Sequence, residues 1–198
     1  MKVGRLEAFS DGVIAIAITL LVLEIHVTPT GGESLWRALG HEWPSFVGYA
    51  ISFLTIGIVW INHHALLDLV GRADRGLMGW NLFLLGAIGL LPFTTGLMAE
   101  HLTDGSLGRS AVAVYALSMG VVGSGFLGLW WHLGRRPALL ADAVTRDDVA
   151  ARLRRTLPGP IVYLVAALVA LLNAPAGLAV TAAPAVYFAL APRGSSSG

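Results

Sequence analysis

The chain contains no cysteine, which excludes disulfides, thiolate catalysis and cysteine-ligated metal. It is also poor in charge: 13% of its 198 residues are Asp, Glu, Lys or Arg, against about 25% in ordinary soluble domains. So few charges cannot cover a water-facing surface, and with 56% hydrophobic residues and a mean hydropathy of +0.73 the composition is that of an integral membrane protein. A net charge of +1 gives no electrostatic case for nucleic acid, and no patch of basic and aromatic residues suited to it occurs. The nucleophile elbow, the phosphate-binding loop, the dinucleotide fingerprint and the H-E-x-x-H zinc motif are all missing. No acid, base and nucleophile assemble, so neither an enzyme nor a cofactor is expected. Asp11 stands where a signal peptide would be apolar, and no A-x-A cleavage site follows, so the first apolar run is expected to stay in the protein.

What is present is a succession of apolar runs. A membrane-spanning helix needs about 20 mostly apolar residues, and the sequence predicts six, over roughly 5–25, 43–66, 76–99, 109–132, 157–173 and 176–192. Together they predict a single all-α membrane domain over residues 1–193, with 194–198 a flexible tail or a cloning remnant. Pro44 and Pro158 suit first helical turns, and Asn173-Ala-Pro-Ala-Gly177 reads as a tight turn between the last two spans. Gly120, Gly123, Gly125 and Gly128 allow close helix approach. Trp36, Trp43, Trp80, Trp130 and Trp131 fall near predicted span ends, where an aromatic belt is expected.

One set of span ends carries Lys2, Arg5, Arg72, Arg75, Arg135, Arg136, Arg146, Arg152, Arg154, Arg155 and Arg193. The other carries only Arg37 and Arg109, with Glu24, Glu33, Glu42, Glu100 and Asp104. The positive-inside rule then puts both termini in the cytoplasm, in keeping with an even number of spans. The polar segment 142–155 reads as a short cytoplasmic helix whose basic end suits anionic headgroups, or equally a solvated linker.

The first run carries the candidate site. At 100° per residue, Ile16, Leu20 and Leu23 form one narrow aliphatic stripe, extended by Gly12 and flanked by Thr19. Ser10 and Asp11 point away from it. A carboxylate in an apolar run costs roughly 2.5–3.5 kcal/mol at the bilayer centre and less near the interface, so Asp11 needs a partner. The second run ends Trp60-Ile-Asn-His-His64 at the same depth, with Trp60 and His63 neighbours at i, i+3. A hydrogen-bonded cluster of Arg5, Ser10, Asp11, Trp60, Asn62 and His63 would satisfy its members where water is scarce.

Arg5-x-x-x-Phe9-Ser10-Asp11, opening the first of six spans and followed by an aliphatic run ending Thr-Leu-Leu-x-Leu, resembles the prokaryotic relatives of transmembrane protein 175, the endosomal and lysosomal potassium channel. The Trp60-x-x-His63 ending of the second span supports the resemblance, which beyond residue 66 is one of topology alone. It implies a homotetramer in the cell membrane, with a central pore lined by the first helix and closed by a ring of aliphatic side chains in place of a carbonyl filter. By motif offset that ring falls on Ile16, with Leu20 and Leu23 farther outward and the Thr19 hydroxyl near the ion path as the candidate for selectivity. Arg5, Phe9, Ser10, Asp11, Trp60, Asn62 and His63 would hold the helix in place. Potassium would be the ion in transit, with no resident metal. An aliphatic ring gates by dewetting, and a modest preference for potassium over sodium follows because the less strongly hydrated ion loses less on partial dehydration. Val47-Gly-Tyr49 resembles part of a carbonyl filter, but Phe46 precedes it and Ala50 follows within a continuous apolar run. The residues also leave two other readings: a proton-coupled secondary transporter using Asp11 and His63, and a metal site or intramembrane enzyme around His63, His64 and Asp68.

Overall fold

In a computed structural model, residues 3–29 and 31–190 are described, the last four of them as backbone only. They are almost wholly helical, in agreement with the expected all-α class. In chain order the helices are α1 (Val3–Leu20), α2 (Leu35–His41), α3 (Trp43–Leu67), α4 (Arg75–Gly89), α5 (Leu91–His101), α6 (Ser106–Arg135), α7 (Arg146–Thr156), α8 (Pro158–Leu172) and α9 (Ala174–Leu190). Five helical segments are long and apolar enough to cross a membrane, over residues 3–24, 43–67, 75–101, 106–135 and 146–172, and α9 is a shorter apolar sixth.

The punctuation is local. After Leu20 the first helix tightens into a 3₁₀ turn over Leu21–Glu24. The third apolar run is two helices, α4 and α5, broken at Leu90. Pro92 explains the break: it has no N–H to give the Ile88 carbonyl, and its ring crowds that carbonyl. Asp74 caps α4 by accepting from the Leu77 amide at 2.7 Å, and its carboxylate also lies 2.9 Å from His132 Nε2 on α6. Partial desolvation pushes the Asp74 carboxyl up, but the Leu77 amide and His132 outweigh it, so its pKa sits below the ordinary value. A reciprocal capping box between Thr145 and Asp148 starts α7. The turn expected over 173–177 is shorter than its sequence suggests. Asn173 alone lies between α8 and α9, and its Oδ1 accepts from the Ala176 amide at 2.9 Å as an N-cap.

The helix at the centre of the chain is α6, packed by α4, α5, α7, α8 and α9. Its glycines serve two neighbours. The Trp80 ring of α4 fills the space a side chain at Gly128 would need, and Leu84 lies 3.0 Å from that space at Gly125. On another face, Pro160 seats at Gly123 and Tyr163 at Gly120, both from α8. Within a bilayer such packing matters more than apolar transfer, because lipid tails are as apolar as leucine. A buried hydroxyl chain adds directionality. Thr95 donates to the Leu91 carbonyl at 2.7 Å, so Ser52 donates to Thr95, and Tyr115 to Ser52, each at 2.7 Å, tying α3, α5 and α6 together.

Against this core α1 is peripheral. It packs on α3 and α4, and only 28% of its apolar window is buried, against 56% for α6.

Candidate functional site

The periphery of α1 is divided by face. Leu6, Ser10, Ile14, Ala17 and Leu21 are buried against the rest of the chain. Opposite them Phe9, Ile16, Leu20 and Leu23 are exposed by 53%, 61%, 41% and 63%, with Gly12 and Thr19 exposed among them. The aliphatic stripe read from the wheel is therefore one continuous uncovered face. The 3₁₀ turn keeps it straight at its outer end, because residues three apart eclipse in that geometry and Leu23 stands above Leu20. The Thr19 hydroxyl donates to the Ile16 carbonyl at 2.8 Å. Its proton is spent on its own helix, and its lone pairs are what the exposed face presents.

The buried face carries a polar brace. His63 Nε2 lies 2.7 Å from Asn81 Oδ1, so the ring donates and the amide oxygen accepts. Asn81 Nδ2 donates to Ser10 Oγ at 2.9 Å, and Ser10 donates to the Leu6 carbonyl at 2.8 Å. The series runs His63, Asn81, Ser10, Leu6, and it fastens α3 and α4 to α1. All three of its side chains are fully buried, and the His63 Nδ1 has no hydrogen-bond partner among the described residues. Beside it Trp60 donates to Asp11 Oδ1 at 3.0 Å, a second tie between α3 and α1. Nearer the start of α1, His64 Nδ1 meets Glu7 at 2.9 Å.

Two residues grouped with this cluster from the sequence stand outside it. Arg5 and Asn62 are exposed, and neither side chain has a partner among the described residues. Rotation explains both: Asn62 is one residue, about 100°, from His63, and Arg5 is five residues from Ser10, which turns it onto the same face as Ile16. Phe9 also lies on the exposed face and touches none of the brace's hydrogen bonds. Conversely, Asn81 and Glu7 belong to the brace and were not read from the sequence. A lone asparagine in the apolar run Gly-Trp-Asn-Leu-Phe carries the same burial penalty that drew attention to Asp11, and that penalty was the available signal. Replacing Asn81 with leucine leaves the buried His63 with no partner at either ring nitrogen, while Ser10 keeps its bond to Leu6. The expected cost is about 2 kcal/mol, read as a lower unfolding midpoint in detergent.

The metal reading finds a different trio. His63 turns inward, and the groups that approach one another are Glu7, His64 and Asp68, with ligand atoms within 4.8 Å. Glu7 faces His64 Nδ1 whereas Asp68 lies 3.9 Å from its Nε2, so the ring pairs with a carboxylate on each edge. At the opposite, acidic end a cleft of about 530 Å³ is lined by Glu24, His26, His41, Glu42 and Glu100 among others.

Comparison with known proteins bears on what such a divided helix does. The sequence profile described as "Endosomal/lysosomal potassium channel TMEM175" matches residues 5–92. A potassium channel of Streptomyces collinus is 42% identical over 93% of this chain and 90% of its own length. The crystal structure of a lysosomal potassium-selective channel TMEM175 homolog from Chamaesiphon minutus superposes with a TM-score of 0.85 at 38% identity, over 95% of this chain and 96% of that one. The endosomal/lysosomal proton channel TMEM175 of Gallus gallus is 42% identical over 48% of this chain and 21% of its own length.

Proposed function

Because the chain belongs to the TMEM175 family of channels, a multi-pass membrane family, we propose that it is a potassium-permeable channel of four identical subunits whose pore is lined by α1. The observation that carries this reading is the division of α1 into a braced face and an uncovered aliphatic face. Ile16 forms the constriction, with Leu20 and Leu23 continuing it outward. Thr19 offers hydroxyl lone pairs beside the ion path, since its proton is held by the Ile16 carbonyl. Four aliphatic side chains at one level make a dry constriction, and widening it readmits water and ions. Weak preference for potassium over sodium follows from partial dehydration. The basic span ends support an orientation with both termini in the cytoplasm, and the channel reading has the protein in the cell membrane.

The test is potassium flux from liposomes holding the purified protein, with the reversal potential measured in a potassium/sodium gradient. Passive flux that reverses between the two ions' equilibrium potentials supports the channel, and no flux across a range of voltage and pH removes it.

The animal relatives' name, a proton channel, makes proton movement the second reading, through Asp11 and His63. The geometry gives it little support, because Asp11 is tied to Trp60 while His63 reaches Ser10 through the Asn81 amide, a group that neither gains nor loses a proton at neutral pH. Asp11→Asn decides between them. The asparagine oxygen still accepts from Trp60, so a brace keeps potassium flux within about twofold of wild type, a change worth under 0.5 kcal/mol of barrier. A proton relay loses its flux altogether.

A further inference from the structure

The basic end of the subunit holds a second cleft, of about 600 Å³, between α3, α6, α8 and α9 beneath α7. That is the size of a small-molecule site. We propose that it binds one anionic phospholipid, headgroup at the α7 rim and acyl chain in the apolar depth. This goes beyond the channel reading and does not depend on it.

The rim is cationic and its cations are available. Arg152 and Arg155 both line the mouth, and no carboxylate among the described residues lines the cleft. The Arg152 guanidinium lies 5.8 Å over the ring of Trp130, which is itself only 5% exposed and therefore fixed. Stacking of this kind leaves the guanidinium edge free to donate to a phosphate. Arg155 has no side-chain partner among the described residues. Asp148, one turn before Arg152, attracts it electrostatically but accepts its hydrogen bonds from the amide and hydroxyl of Thr145, at 3.0 and 2.6 Å, and forms no ion pair with Arg152. Asn62, which stands outside the α1 brace, lines this cleft instead.

Below the rim the lining becomes apolar: Phe126, Val162 and Pro184. Tyr163 reaches the same wall with a hydroxyl that has no partner among the described residues. A soluble phosphate ester would use the arginines and leave this depth empty. A zwitterionic lipid would fill the depth and bring a cationic group to a cationic rim. An anionic phospholipid matches both parts, and polybasic segments at a membrane surface attract such lipids. Gly159 keeps the cleft open, since the space beside its Cα is empty.

The experiment measures spin-labelled phosphatidylglycerol and phosphatidylcholine restricted by the full-length protein in phosphatidylcholine vesicles. Wild type should hold phosphatidylglycerol with a roughly fivefold preference. Arg152→Gln with Arg155→Gln should bring the two lipids to parity. Gly159→Leu, which fills the cleft without changing charge, should do the same. Arg72→Gln with Arg75→Gln removes equal charge at the same end, outside the cleft, and should leave the preference intact. Parity in wild type, as expected if a second copy of the chain covers the cleft, overturns the proposal. So does a preference that survives the double arginine variant, an equal loss in the Arg72 and Arg75 variant, or displacement of the labelled lipid by glycerol phosphate in the buffer. If Gly159→Leu does not fold, the two double variants decide alone.

Discussion

Potassium flux through the Ile16→Asn variant is expected to rise at least tenfold over wild type, and its reversal potential to move toward that of a pore indifferent between potassium and sodium. The argument starts from exposure. Ile16 shows 61% of its surface in a helix whose opposite face is packed shut, so four copies facing one axis would present only aliphatic carbon at that level. Water leaves such a ring readily and an ion must shed part of its shell to pass. Asparagine is close in length but replaces the branched carbons with an amide that hydrogen-bonds water. A tenfold rise requires only about 1.4 kcal/mol off the barrier, shared among the four subunits of the proposed channel. Ile161, 58% exposed on α8, supplies the control: asparagine there should leave flux unchanged. An unchanged current in Ile16→Asn removes Ile16 from the constriction.

The sequence made the divided helix readable because its two signals are independent. Polar residues in an apolar run require partners, which drew Ser10, Asp11, Trp60 and His63 together. Helical rotation then turned Ile16, Leu20 and Leu23 away from them. Both signals are local to one or two helices. Asn81 escaped because its partners lie on two other helices and no second polar residue marks its level. Arg5 and Asn62 show the converse, being close in sequence to the brace but rotated off it within the chain. The helical break at Leu90 needs Pro92 to be weighed against a run that is otherwise uniformly apolar. The phospholipid cleft could not be read from any one segment, since Arg152 and Asn62 are 90 positions apart and the lining comes from five helices.

Gly128→Leu is expected to cost about 3 kcal/mol or more and to reduce flux even though residue 128 is far in sequence from the candidate pore. The Trp80 ring occupies the volume a Cβ at Gly128 would take, so even the first carbon of a side chain has no room. Trp80 cannot swing aside cheaply, because Phe83 packs edge-on at 5.8 Å and Trp131 at 6.4 Å. The displaced element must then be α4 itself. Asn81 follows Trp80 directly, and its amide donates to Ser10 at 2.9 Å while its oxygen accepts from His63 at 2.7 Å. Moving α4 off α6 therefore pulls on the brace that sets the rotation of α1, and with it the direction in which Ile16 faces. Unfolding midpoints and flux should fall together in this variant. Gly79→Ala, one residue from Trp80 but beside open space, should instead be neutral or gain up to about 1 kcal/mol in helix propensity. Adding Trp80→Ala to Gly128→Leu should recover much of the lost stability, because the coupling acts through that one ring. A stable Gly128→Leu with wild-type flux would mean that α6 does not set the position of α4, and that the brace is held by α3 alone.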